Sequence, residues 1–501
     1  MKVIAISTDR KVFEPGSVVR ERMIEYGKIF EKMEIIIFSN RGKNYESRIK
    51  LSENVFAYPT NSRNKLFYIF DAFKVAKSII HNSKFNIHEL VLSAQDPFET
   101  GLVGLILKFK YHLPLQLQVH TDFANRYFIF HSPLNVIRFV LAELTLGFAD
   151  AVRVVSERIK RSVHNLPEHI AVLPIFVPQT LTEPKKNKDK ITFLTVARLE
   201  KEKNLETAIK AFAYACLDAE LVIVGDGSQR ENLEHLAREL KIENKVIFAG
   251  WQNNLQKFYA EADIYISTSL YEGYGMATVE AAAAGLPLIV SDAGLTREIF
   301  FDGREALIFK QKDFRVLSEK MKKLSMDLEL RRKIGLAARA AAEKNASTKE
   351  EYLKRYREAM QLALDSSKQN SGLFKKNILL RYLVSGLLAG ALTNLGLLFI
   401  LTHFFGIFYI YSSIIAFLAS ITLSFGLQKF WTFSDKELKG VHSQFSRYTI
   451  LALLGLVINA LLMYILVDRA HLWYILAQII VNAFIAVLNF LMYKFFIFHK
   501  K

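Results

Sequence analysis

Four apolar spans, roughly 383–405, 407–427, 448–467 and 472–493, constrain the fold of this 501-residue chain more than any other feature. Each approaches the ~20 residues that an α-helix needs to cross a bilayer. Hydrocarbon offers no water to backbone N–H and C=O groups, so such spans must satisfy them as helices. A buried soluble bundle is the alternative, and four spans with so few charges argue against it. Residues 371–501 carry eleven Lys/Arg against three Asp/Glu, a net of +8 within the +17 of the whole chain. Lys375, Lys376 and Arg381 precede the first span. Lys429, Lys436, Lys439 and Arg447 separate the second from the third, and Lys494, Lys500 and Lys501 close the chain. The other loops offer only Arg469, beside Asp468. The asymmetry predicts a multi-pass protein of the cytoplasmic (inner) membrane, with both termini cytoplasmic. No nucleic-acid-binding motif accompanies the positive charge.

The same segment is an internal duplication. RYLVSGLLAGALTNLGLLFIL from Arg381 matches RYTILALLGLVINALLMYIL from Arg447, and SFGLQKFWTF (424–433) matches NFLMYKFFIF (489–498). Lys429 therefore overlies Lys494. Each copy holds two spans, so the two copies share one orientation, as in parallel transporter repeats.

The first 370 residues follow a different rule. Apolar runs such as VIAI, IIIF, LVLS and LQLQV alternate with helical stretches through 1–180, as a parallel α/β domain requires. After Pro174, Pro178 and the polar run EPKKNKDK, the alternation restarts at ITFLTVA and continues through LVIVG, KVIFAG, DIYIS and LPLIV. The expected domains are 1–182, 183–346, a helix at 347–365 that crosses back to the first domain, a linker at 366–377, and the membrane segment 378–501. One cysteine, Cys216, excludes a disulfide framework and a Cys-based zinc site. MKVIAIS reads as a first strand, with no secretory signal.

The chemistry concentrates in SLYEGYGMATVEAAAAGLPLIVSDAG, Ser269 to Gly294. Glu272 and Glu280 flank a Gly-Tyr-Gly turn, Gly273 to Gly275, that opens a helix through Met276 and Ala277. A helix N-terminus with unpaired amides favours a phosphate. Carboxylates on either side can accept hydrogen bonds from hydroxyls. Sugar, diphosphate and ribose read together are what a nucleotide-sugar site needs. Two stretches, 64–80 and 125–139, interleave Lys/Arg with Phe and Tyr; this suits either a bilayer interface or a core-facing helix.

The tracts TVARLEKEKN, LVIVGDGSQRENLE, VIFAGW and LYEGYGMATVEAAAAGLPLIVSDAG occur here in the order of the retaining glycosyltransferases of family four, which residues 1–365 resemble. Residues 375–501 resemble the GtrA-like membrane family, proposed to help move polyprenyl-phosphate-linked sugars. The resemblance implies a GT-B fold of two Rossmann-like domains, followed by an all-α transmembrane four-helix domain.

It also implies roles. Arg198 and Lys203 match the pair that binds the donor diphosphate and stabilises the leaving group. Glu272 matches the residue that holds hydroxyls of the transferred sugar, and Glu280 the ribose ligand. Gly225 and Gly227 match the donor-side turn. His120, at the end of LQLQV, matches a histidine facing donor sugar and acceptor. Gly16, in EPGSVVR, matches a loop near the diphosphate. Asp96, after another strand, is a weaker candidate for the cleft. With two fixed cations at the diphosphate and no Asp-x-Asp in the chain, no metal and no other cofactor is expected. Arg381, Lys429, Arg447 and Lys494, paired by the duplication, are candidates to meet a lipid phosphate; interfacial anchoring is the other account of them. The expected activity is metal-independent transfer of a sugar, of the hexosyl type, from a nucleotide-sugar donor to a lipid-linked (polyprenyl-phosphate or glycolipid) acceptor in cell-envelope polysaccharide or glycoconjugate synthesis. A transporter of polyprenyl-linked sugars with a fused transferase or regulatory module is the rival reading. The partners expected are donor, acceptor and membrane lipid, with no nucleic acid.

Overall fold

Short, apolar, β-rich runs separated by helices fold into two open sheets. In this computed structural model every residue is described except 44, 83–88, 164–165, 178–189, 368–377, 387–392, 404, 434, 436, 438–439, 470–473 and 499–501. The first sheet contains β1 (Lys2–Ser7), β2 (Lys32–Ile37), β3 (Ile49–Lys50), β4 (Val55–Pro59), β5 (Leu90–Ala94), β6 (Leu115–Val119), β7 (Ala151–Val154) and β8 (Ile170–Val172), in the order β3-β4-β2-β1-β5-β6-β7-β8. Only β3 runs antiparallel to its neighbour. Every residue of β5, β6 and β7 is buried, because helices cover both faces of a parallel sheet. The second sheet contains β9 (Ile191–Val196), β10 (Ala219–Val224), β11 (Val246–Gly250), β12 (Ile264–Ser267), β13 (Leu288–Ser291) and β14 (Ala306–Phe309), in the order β11-β10-β9-β12-β13-β14, all parallel.

Each sheet has its own core. Phe193, Ile209, Phe212, Ile223, Ile289 and Met321 anchor the second. The first is completed by the helix Lys349–Ser367, whose Tyr352, Tyr356, Met360 and Ala363 pack beside Tyr26, Phe30 and Met33. Tyr356 stacks on Tyr26 with ring centroids 4.4 Å apart. A chain that ends its second sheet and then returns to the first ties the two together.

The two sheets are also clasped directly. Arg158 Nη1 donates to Asp292 Oδ1 at 2.9 Å, and its Nη2 to the Asp292 carbonyl at 3.0 Å. Glu298 accepts the backbone amides of Glu157 and Arg158, each at 3.0 Å.

The chain forms two compact units, Met1–Phe139 with Ala149–Gln369, and Val140–Phe148 with Asn370–Lys501. In the second unit, three stretches among the described residues are long and apolar enough to cross a membrane: Ile414–Thr432, Val441–Tyr464 and Ile480–Ile497. The first expected span, 383–405, falls partly outside the described residues, which give it the helices Ile378–Ser385 and Thr393–His403. Helix Val441–Tyr464 leaves Ile450, Leu454, Val457 and Leu461 exposed, as suits a surface solvated by hydrocarbon. Among the described residues, widened π-helical turns end helices at Leu427–Thr432, Ile465–Arg469 and Tyr493–Ile497, a geometry often met at functional positions.

Candidate active site

The site is built where strands of both sheets end. After β9 the chain turns through Arg198 to a short 3₁₀ turn, Lys201–Lys203, closed by Asn204 in the left-handed region (φ 51°). Three contacts fasten this turn to the segment after β12. The Thr268 hydroxyl donates to the Lys203 carbonyl at 2.8 Å, Asn204 Nδ2 to the Thr268 carbonyl at 3.3 Å, and the Leu270 amide to the Glu202 carbonyl at 2.8 Å. Lys203 Nζ then meets Glu272 Oε1 in an ion pair, and Ser269 Oγ donates to the same oxygen at 2.8 Å. Arg198 is more exposed and its Nη2 donates to Glu202 Oε1 at 3.1 Å.

Two glycines here are dictated by space. A Cβ on Gly273 would lie 1.7 Å from the His120 carbonyl oxygen, so the backbones of the two sheets' loops touch at this point. A Cβ on Gly225 would lie 1.9 Å from the Ala197 carbonyl oxygen, and its φ is +137°. Gly275, at φ +86°, starts the helix Met276–Ala283, and no side chain caps it. The first amides of that helix are therefore available to an anion. Glu280, one turn in, accepts the Tyr259 hydroxyl at 2.8 Å; burial raises its pKa, and the Tyr259 hydrogen bond opposes the rise.

From the first sheet comes His120, immediately after β6. Burial first, then the charges of Arg153 and Arg22, push its imidazole down to about 3, so it is neutral at physiological pH. Its Nε2 lies 3.0 Å from Gln118 Oε1, which also accepts from Arg153 Nη1 at 3.1 Å.

These groups line one cavity of about 460 Å³. His120, Arg198, Lys203, Gly225, Glu272, Gly273, Gly275, Met276, Ala277 and Glu280 all contribute to its wall. Gly227 and Gly16 do not. Gly227 packs over Leu199, whose carbonyl oxygen would lie 2.6 Å from an added Cβ, and Gly16 (φ +73°) precedes the helix Val18–Gly27. The cavity also includes Ser269 and Trp251, which the sequence reading does not single out. Trp251 is 57% exposed, and Lys11 Nζ sits 4.1 Å from its ring centroid. VIFAGW ends on this residue, and an aromatic directly after a strand's carboxyl end is the signal that points to it.

In the membrane unit the four candidate cations separate. Lys429 is fully buried and donates to Asp435 Oδ2 at 2.6 Å and Gln444 Oε1 at 2.7 Å. Lys494 pairs with Glu143 at 2.9 Å. Arg381 Nη1 donates to the Trp431 carbonyl at 2.7 Å, and Arg447 is exposed.

Residues 178–341 match the family model for glycosyl transferases group 1, and residues 381–498 match the GtrA/DPMS transmembrane domain. The chain thus carries a group 1 glycosyltransferase domain joined to a GtrA-like membrane domain. Among relatives, an uncharacterized glycosyltransferase of Methanocaldococcus jannaschii is 39% identical over 115 residues, 22% of this chain and 30% of that protein. The Campylobacter jejuni N-acetylgalactosamine-N,N'-diacetylbacillosaminyl-diphospho-undecaprenol 4-alpha-N-acetylgalactosaminyltransferase is 32% identical over 146 residues, 29% of this chain and 40% of that protein. The chain therefore spans less than half the length of these two curated relatives. Sucrose-phosphate synthase of Thermosynechococcus elongatus shares the fold at a TM-score of 0.62 and 18% identity, over 72% of this chain and 99% of that one. Anabaena HepE in complex with UDP and glucose does so at 0.57 and 18%, over the same shares. The fold is GT-B.

Proposed function

We propose that this protein is a membrane-anchored retaining glycosyltransferase that moves a sugar from a nucleotide-sugar donor to a lipid-linked acceptor. The observation that carries the reading is the convergence of Lys203, Glu272, Glu280 and the uncapped helix after Gly275 on one cavity that faces His120. In this reading the diphosphate lies over the helix N-terminus, held by Arg198 and Lys203, with the ribose on Glu280. Lys203 then exchanges its ion pair with Glu272 for a phosphate oxygen, freeing Glu272 to accept hydroxyls of the transferred sugar. Charge that develops on the leaving diphosphate meets preorganised cations, a contribution that needs no metal. The nucleoside diphosphate departs from the face on which the acceptor attacks, and its phosphate oxygen takes the acceptor's proton. Neutral His120 can hydrogen-bond the sugar or the attacking hydroxyl without adding charge.

Two things support a lipid-linked acceptor. The chain has a membrane domain, and the Campylobacter relative bears a diphospho-undecaprenol in its name. Nucleotide sugars are made in the cytosol, so the transferase domain belongs on that side of the cytoplasmic membrane. The test uses full-length protein in nanodiscs, offered labelled UDP-, GDP- and ADP-sugars. Hydrolysis or transfer from one of them, lost in Glu272→Ala, is the expected result. Failure to bind or hydrolyse any of the three would remove the reading.

A further inference from the structure

A second cavity, of about 330 Å³, lies on the first sheet's side and shares His120 and Ile175 with the donor cavity. It sits at the carboxyl ends of β1, β5 and β6, where Ser7, Gln95, Asp96 and His120 contribute, the position at which open α/β sheets hold ligands. Its volume falls within the ~300–1,000 Å³ of small-molecule sites.

Charge in this cavity is unevenly answered. From helix Val18–Gly27, Val19, Arg22, Met23 and Tyr26 face it, the i, i+3, i+4, i+7 stripe of one helix face. Arg22 is the one cation on that stripe, and its side chain makes no hydrogen bond or ion pair among the described residues. Arg153, at the floor, is 2% exposed. Among the described residues it donates only to neutral groups: Gln118 Oε1 at 3.1 Å, the Tyr352 hydroxyl at 2.9 Å, and the Leu173 and Pro174 carbonyls, each reached at 3.2 Å. The two carboxylates in the lining are occupied elsewhere. Asp9 accepts from the Lys11 amide at 3.1 Å, and Asp96 from the Phe98 amide at 2.9 Å, each serving its own turn. A buried guanidinium without a carboxylate is costly unless an anion joins it.

We propose that this cavity binds a phosphate ester of the acceptor, with Arg22 as its direct ligand and Arg153 as the fixed charge behind it. The assignment rests on the transferase reading above. His120, common to both cavities, puts a hydroxyl of such an acceptor beside the donor sugar. Val12, Met33 and Ile35 also contribute to the lining, so apolar surface adjoins the two cations.

The experiment uses full-length protein in detergent micelles and two probes, glycerol 3-phosphate and farnesyl phosphate, with binding followed by titration calorimetry. Wild type, Arg22→Lys and Arg22→Gln are compared; nucleoside diphosphate binding by each reports that it is folded. Arg22→Gln should weaken phosphate binding tenfold or more, the scale of one charge-assisted contact, and Arg22→Lys should lose less. Loss of both probes identifies a soluble phosphate ester as sufficient, and loss of farnesyl phosphate alone identifies a lipid phosphate; both outcomes support the assignment. Wild type that binds neither probe, or Arg22→Gln that binds both as wild type does, overturns it. Wild type that binds phosphate but no nucleoside diphosphate and hydrolyses no donor would fault the transferase reading instead.

Discussion

Replacing Gly273 with alanine tests the geometry of the cleft most directly. The new Cβ would sit 1.7 Å from the His120 carbonyl oxygen, whereas ordinary contact begins at 3.4 Å. The obstacle is backbone, so no side chain can swing aside. The loop carrying Glu272 and the end of β6 must part by about 1.7 Å, the shortfall between those two distances. Misplacing catalytic groups by ~1 Å costs ~100-fold in rate, so turnover should fall by at least that factor. Overpacking adds ~1–3 kcal/mol of lost stability, which leaves most of the protein folded at 25 °C. Transfer from the identified labelled donor, normalised to folded protein by thermal melting, is the assay. Gly42→Ala is the control, because a Cβ there meets nothing within 4 Å. A Gly273→Ala enzyme within threefold of wild type would refute the argument that the two loops must touch for catalysis.

Lys203→Ala, Glu272→Ala and Arg198→Ala should each lower turnover ~100-fold or more, the scale of one preorganised charge contact, with a chelator having little effect; full activity in Glu272→Ala or abolition by EDTA would contradict the site. His120 titrates at about 3 when folded and near 6.5 when unfolded, so its contribution to stability is full above pH 6.5 and lost as pH falls toward 3. His120→Gln should therefore flatten the acid side of a plot of Tm against pH, and an unchanged acid limb would count against its burial as a neutral base. For topology, a cysteine at Ala470, a position outside the described residues, should react with an impermeant reagent on intact cells while one at Gly440 should not. The reverse pattern would invert the orientation. Lys429→Met should destabilise the membrane unit by ~3–5 kcal/mol, because Asp435 is left buried and uncompensated, and Lys429→Met with Asp435→Leu should recover most of the loss, as a double-mutant cycle by melting in detergent can measure.

Both sheets and the cavity's local half could be read along the chain. Period-2 and apolar runs mark the strands, and the glycines of Gly273-Tyr274-Gly275 mark a turn before a helix, because these are properties of neighbouring residues. What stayed hidden depends on pairs far apart in sequence. Nothing near Arg158 or Glu298 announces that they clasp the two sheets, and nothing in VIFAGW says that Lys11 covers Trp251. Arg198 reads as a twin of Lys203, yet only Lys203 reaches Glu272, since the intervening 3₁₀ turn points the two side chains differently. Arg22 and Arg153 were equally silent, being an arginine on a helix and another on a strand until the fold places both at one cavity.

The duplication in the membrane domain makes the same point about what equivalence in sequence can promise. Lys429 and Lys494 occupy matching places, each within a π-helical turn that ends a span. In the first copy the carboxylate comes from within, six residues on, as Asp435. The corresponding position of the second copy is Lys500, which cannot serve. Lys494 instead takes Glu143, from the segment Val140–Phe148 that belongs to the same compact unit. Two cations that look like a symmetric pair thus depend on different parts of the chain for neutrality. For either lysine to hold a lipid phosphate it must give up a buried carboxylate, and the cost of leaving that carboxylate alone would differ between the copies. Neutralising Asp435 alone or Glu143 alone should therefore affect the two halves of the repeat unequally, an outcome that the symmetry of the sequence by itself would not suggest.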